Sequence, residues 1–162
     1  MLEPLHLLFF ATWLAAKVSA YNQTCKTTPL DATWPSIEQW AALNGSIDGT
    51  LLRTSPVAAS CYNQATANST ACNTAIANWT LPAFHASLPE SIDYPLYANN
   101  SCLPPGATGF TEQKGCSLGA LPQYIVNATS EKHIATAMSW AASRNIRIVV
   151  KGTGHDMNGR YV

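Results

Sequence analysis

Apolar and polar positions fall into orderly blocks only after about residue 117. Tyr124-Ile125-Val126-Asn127-Ala128 joins aromatic and β-branched residues behind Pro122 and reads as a β-strand. Thr129 or Ser130 can cap the helix that follows, and Glu131 and Arg144 suit the dipole at its two ends. Within Glu131–Ser143, Ile134, Ala137, Met138 and Ala141 fall at i, i+3, i+4 and i+7, one apolar stripe. Ile146-Arg147-Ile148-Val149-Val150 reads as a second strand, branched enough for a parallel sheet covered on both faces. Strand, helix and strand together predict a βαβ unit. The glycine-bearing run Lys151-Gly152-Thr153-Gly154-His155-Asp156 then lies at the carboxyl end of the second strand, where α/β sheets place ligands.

Upstream the periodicity is weaker. Trp34-Pro35-Ser36 opens a short helix reaching about Leu43, with Ile37, Trp40 and Ala41 on one face. Asn44-Gly45 and Asp48-Gly49 are turn signals. Leu51–Thr54 suits a short strand, and Ala71–Trp79 a short helix. Between Leu81 and Gly109 the prolines predict extended or turn structure. The predicted class is α+β: a loop-rich, disulfide-bearing segment, then a βαβ unit.

The first twenty residues add a destination. Leu7–Ala16 is apolar but too short to span hydrocarbon, and Val18-Ser19-Ala20 offers a small-residue cleavage site. Residues 1–20 are read as a signal peptide and Tyr21 as the mature start. A secreted, extracellular protein follows, and no later stretch is apolar enough to span a membrane. Sequons begin at Asn22, Asn44, Asn68, Asn78, Asn99 and Asn127, six of the eleven Asn, where composition alone would give about two. Glycans supply the solubility that an 11% charged chain with 47% hydrophobic residues lacks. Asn127 is expected to be a poor acceptor because a glycan there would crowd the predicted sheet. The formal charge of zero argues against nucleic-acid binding.

Five Cys follow the cleavage site, in an oxidising compartment. Fifteen ways of making two bridges exist. Cys61–Cys72 and Cys102–Cys116 are favoured because each closes a short loop unable to hold itself by core burial, which leaves Cys25 over. No zinc-type spacing is present, so no metal site is expected. His85 is expected in solvent and His133 at the helix surface, while His155 stands apart between bare backbone and Asp156.

The glycines let backbone approach a ligand closely, and successive N–H groups in such a turn suit an anion. The run fails both the Rossmann and the Walker patterns, and taken alone it also fits a tight turn. Its longer form, IRIVVKGTGHDMNGR, resembles the flavin-attachment segment of secreted fungal FAD-linked oxidases of the berberine-bridge-enzyme type, with the vanillyl-alcohol-oxidase fold. The resemblance extends back through CSLGALPQYIVNATSEKHIATAMSWAASRNIRIVV, CKTTPLDATWPSIEQWAALNGSIDGTLL and PLYANNSC. It implies a signal peptide (1–20), a glycosylated disulfide-bearing segment (21–116) and the start of a PCMH-type FAD-binding domain (117–162).

The resemblance further implies that His155 bonds to the flavin 8α-methyl and that backbone from Lys151 and Gly152 to Asp156 cradles the pyrophosphate. The full enzyme would pass a hydride from a small-molecule substrate to flavin N5 and the electrons to dioxygen, forming hydrogen peroxide. Relatives usually have Asn where Gly152 stands. They also run several hundred residues, so this chain reads as an N-terminal fragment, inactive by itself and without a catalytic residue. Its ending, Arg160-Tyr161-Val162, can be encoded through GTATGT, a common fungal intron donor, and is read as an unspliced intron or a gene-model error of that kind, with a genuinely truncated paralogue as the alternative. The rival reading is a small secreted glycoprotein with no cofactor, vestigial or surface-binding.

Overall fold

A computed structural model describes residues 25–62, 67, 69–156 and 158–160. The signal segment, Tyr21, Asn22, Asn68, Met157 and the last two residues lie outside the described residues.

The first helix, α1 (Ile37–Ser46), starts where a capping box can form. Ser36 Oγ accepts from Gln39 N, and Gln39 Oε1 accepts from Ser36 N. The helix runs through Asn44-Gly45, which the sequence suggested as a turn. Its buried side is Trp40 and Leu43, with Ile37 exposed. Asp48 and Gly49, both at positive φ, then turn the chain into strand β1 (Leu51–Arg53), and Asn44 Oδ1 accepts from Leu51 N across that turn. After a 3₁₀ turn (Val57–Cys61) come α2 (Thr70–Asn78), capped by Ser69, and α3 (Pro82–Ser87). The Pro-rich stretch is thus partly helical: Pro82 at the head of α3 and Pro95 at the head of a 3₁₀ turn (Pro95–Ala98) supply the fixed φ that a helix start needs.

Strand β2 (Tyr124–Val126) pairs antiparallel with β1, Leu51 opposite Val126 and Arg53 opposite Tyr124. Helix α4 (Glu131–Ala142) follows, capped by Ser130 Oγ. These elements make an α+β fold whose packing crosses residue 117.

Two expectations about this half need correction. Ile146–Val150 is not a strand; it makes a single parallel bridge, Ile146 to Thr27, and no described strand lies beside Ile148 and Val150. The sheet that forms is therefore antiparallel and two-stranded, not a parallel βαβ. The predicted stripe of α4 is also rotated. Ala141 and His133 are buried, whereas Ile134 and Met138 are exposed. What turns the helix is Trp140, whose ring lies 4.5 Å from Trp40 and packs on the core.

That core is aromatic. Trp40 stacks on Tyr124 at 4.0 Å and meets Trp34 at 5.6 Å, with Leu43 and Ile47 closing its base. A second, smaller cluster joins Ile92 and Ala98 to Leu121. The loops around it are stapled by Cys61–Cys72 and Cys102–Cys116, and Cys25 is free and exposed.

Neither upstream histidine is where the sequence suggested. His133 is only 5% exposed, since the start of α4 packs against the turn after α1: its Nε2 donates to Asp48 Oδ2 at 3.0 Å, and Nδ1 faces Thr129 N. His85, 2% exposed, lies under Trp79 and Phe84. Its Nε2 donates to the Trp79 carbonyl at 2.7 Å, and its Nδ1 is 2.6 Å from Ser91 Oγ. A ring with both nitrogens paired can be buried without the cost of an unmet polar group.

Of the sequons within the described residues, Asn99 is exposed in a left-handed turn. Asn78 Nδ2 donates to Thr74 O, and Asn44 is half-buried at the β1 turn. Asn127 is exposed at the end of a two-stranded sheet, so the crowding expected there is absent.

Candidate functional site

The glycine run forms a loop whose residues Val150–Asp156 and Arg160 line an open concavity of about 470 Å³. Three of its residues hold this loop to residues 82–97, far away in sequence. Lys151 Nζ donates to the carbonyls of His85 at 3.1 Å and Leu88 at 2.6 Å, closing the C-terminal end of α3. Burial lowers the Lys151 pKa, while Glu90 and Asp93 act in the opposite direction. His155 Nδ1 is hydrogen-bonded to Asp93 Oδ2. Gly159, at φ +64°, lies against Tyr97 so closely that a Cβ would sit 2.4 Å from the ring.

Within the loop, Gly154 is buried at φ +87°, a conformation side chains rarely adopt, and its Cβ would meet Lys151 Cε at 2.7 Å. Gly152 is the opposite case, exposed, with nothing within 4 Å of an added Cβ. Asp156 closes the far end. It accepts from Asn158 N and Arg160 N and forms a two-pronged pair with the Arg160 guanidinium. That guanidinium, followed by the Asn158 amide, holds the carboxyl pKa at about 2, so Asp156 is ionised at any ordinary pH.

These contacts sort the six candidate residues. The charges of Lys151 and Asp156 are satisfied by protein partners, and those side chains act as fasteners. Gly152, Thr153, Gly154 and His155 remain, and among the described residues none of their four backbone N–H groups has a hydrogen-bond acceptor. Successive unmet donors at a concavity suit an anionic oxygen. The arrangement therefore fits a diphosphate group without asking for a lysine. His155, its side chain 48% exposed, offers an imidazole at the same concavity.

Asp93 is the site residue that the sequence did not single out. Its side chain is 8% exposed, and Oδ1 is buried with no partner among the described residues. An acidic residue between Ile92 and Tyr94 was a signal of a buried carboxylate in need of a partner.

No protein-family model matches the chain. The FAD-linked oxidoreductase apf9 of Gibberella fujikuroi is 43% identical over 137 residues, which are 85% of this chain and 22% of that protein. The FAD-linked oxidoreductase patO of Aspergillus clavatus is 38% identical over 138 residues, 85% of this chain and 23% of the relative. Among solved structures, the VAO-type flavoprotein MtVAO615 of Myceliophthora thermophila C1 superposes with a TM-score of 0.74 at 33% identity, covering 85% of this chain and 25% of its own. The chain thus spans about a quarter of the length of the relatives it matches.

Proposed function

This chain is a homologue of fungal FAD-linked oxidoreductases and VAO-type flavoproteins, and from that premise we propose that its 150–160 loop binds FAD and that His155 becomes linked to it. The observation that carries the reading is the run of four N–H groups with no acceptor among the described residues, ending at an imidazole. Gly152, Thr153 and Gly154 would hold the diphosphate, with Lys151 and Asp156 fixing the loop's two ends. In such a linkage His155 would give up its ring proton to bond the flavin 8α-methyl position, with dioxygen as the acceptor of the two electrons and second proton released. When bound, FAD would supply the redox chemistry, taking hydride from a small-molecule substrate and yielding hydrogen peroxide.

Secretion belongs to the same proposal, supported by the sequons and the two disulfides. Among the described residues no helix is long and apolar enough to cross a membrane. The test is peptide mass spectrometry on the full-length protein from a secretory host. The reading expects flavin on the His155 peptide and none in His155→Ala. A bare peptide would leave the cofactor-free glycoprotein as the better description.

A further inference from the structure

We propose that Asp93 is the positioning residue for His155, fixing its proton and its aim before any cofactor arrives. The hydrogen bond stands on the structure; its purpose rests on the flavin reading above. Asp93 follows α3 and precedes the Pro95–Ala98 turn, 62 residues from His155 in sequence. It is nine-tenths buried, with Oδ2 taken up by His155 Nδ1 and Oδ1 unpartnered among the described residues. An ionised carboxylate can only accept, so Nδ1 carries the hydrogen. A neutral ring is then held in one tautomer, with a lone pair on Nε2, and it can rotate only by stripping a buried carboxylate of its partner.

The contact belongs to a set. Lys151 on the carbonyls of His85 and Leu88, and Tyr97 under Gly159, fasten the loop on either side of the histidine to the same 82–97 platform. Two anchors set the loop's backbone, and Asp93 sets the ring. A group held in place before reaction spares the entropy of finding its geometry during reaction. The Pro-rich stretch thereby acquires a task beyond carrying a disulfide and a sequon: it aims the histidine of the loop.

Two-bond ¹H–¹⁵N spectra of the ¹⁵N-histidine-labelled chain read the tautomer directly. His155 signals are assigned by their loss in His155→Gln, and spectra are taken at alkaline pH. The proposal expects the Nδ1–H form in the wild type, a mixture in Asp93→Leu, which has no acceptor, and no change in the distant Asp31→Asn. An Nε2–H ring in the wild type would overturn it whether or not any variant folds, and so would an unaltered ring in Asp93→Leu. A second readout is the fraction of His155 peptide carrying flavin after secretion. It should fall several-fold in Asp93→Leu, and equal, non-zero fractions would overturn the positioning role. Bare peptide in the wild type, together with the expected tautomer, would instead remove the flavin reading and leave the positioning of His155 standing.

Discussion

Single residues in the loop work as fasteners or as openings. Lys151 and Asp156 close hydrogen bonds within the protein, whereas Gly152 leaves space and Gly154 takes a conformation side chains avoid. Gly154→Ala forces an L-residue to φ +87° and presses on Lys151, so urea unfolding should show a loss of about 1–2 kcal/mol. An unchanged midpoint would mean that the loop is not held in this form. The left-handed backbone at Gly154 was legible in the sequence, because a glycine in such a turn is free to adopt positive φ. Asp93 was not, because its role depends on a contact across 62 residues that no local spacing encodes. Burial of His85 and His133 was hidden for the same reason. Each is buried by long-range packing and paid for by a partner, Ser91 or Asp48, that no motif announces.

Elements show the same division between local and distant causes. Caps and turns were readable: Ser36, Ser69 and Ser130 start helices, and Asp48-Gly49 turns the chain. Strand partners were not. Tyr124–Val126 has strand character in sequence, but its partner is Leu51–Arg53, whereas the more branched 146–150 run makes one bridge only. The rotation of α4 follows Trp140, since one indole on the Trp40 cluster outweighs the exposed Ile134 and Met138. Trp40→Ala should therefore cost about 3–5 kcal/mol in denaturant unfolding, as it removes the ring that α1, β2 and α4 share. The turn after α1 is joined to α4 by Asp48 and His133, and the His133 hydrogen bond lowers the Asp48 pKa below its ordinary 3.8. A lowered carboxyl pKa contributes stability above the ordinary value and loses it as pH falls through the folded one. Thermal melts should show the wild type losing its advantage over Asp48→Asn on acidification below about pH 4. A constant difference between the two across that range would contradict the pairing.

The whole molecule depends on staples as well as on its core. Cys102–Cys116 closes a loop of sequence separation 14 beside the Ile92–Ala98 cluster that carries Asp93. Replacing both cysteines by Ser should cost about 3 kcal/mol in denaturant unfolding. The variant should also broaden the His155 ring signals, because the platform under the loop loosens; sharp, unshifted signals would separate platform from loop. At this scale the likeness to FAD-linked oxidoreductases spans 85% of the chain and carries the functional reading further than any single residue does. The loop from Gly152 to His155 is proposed as a flavin site. Mass spectrometry of the His155-bearing peptide from the full-length protein made in a secretory host decides it. A flavin adduct on His155 that vanishes in His155→Ala is the expected result; an unmodified His155 peptide in the wild type would exclude a flavin link at this loop.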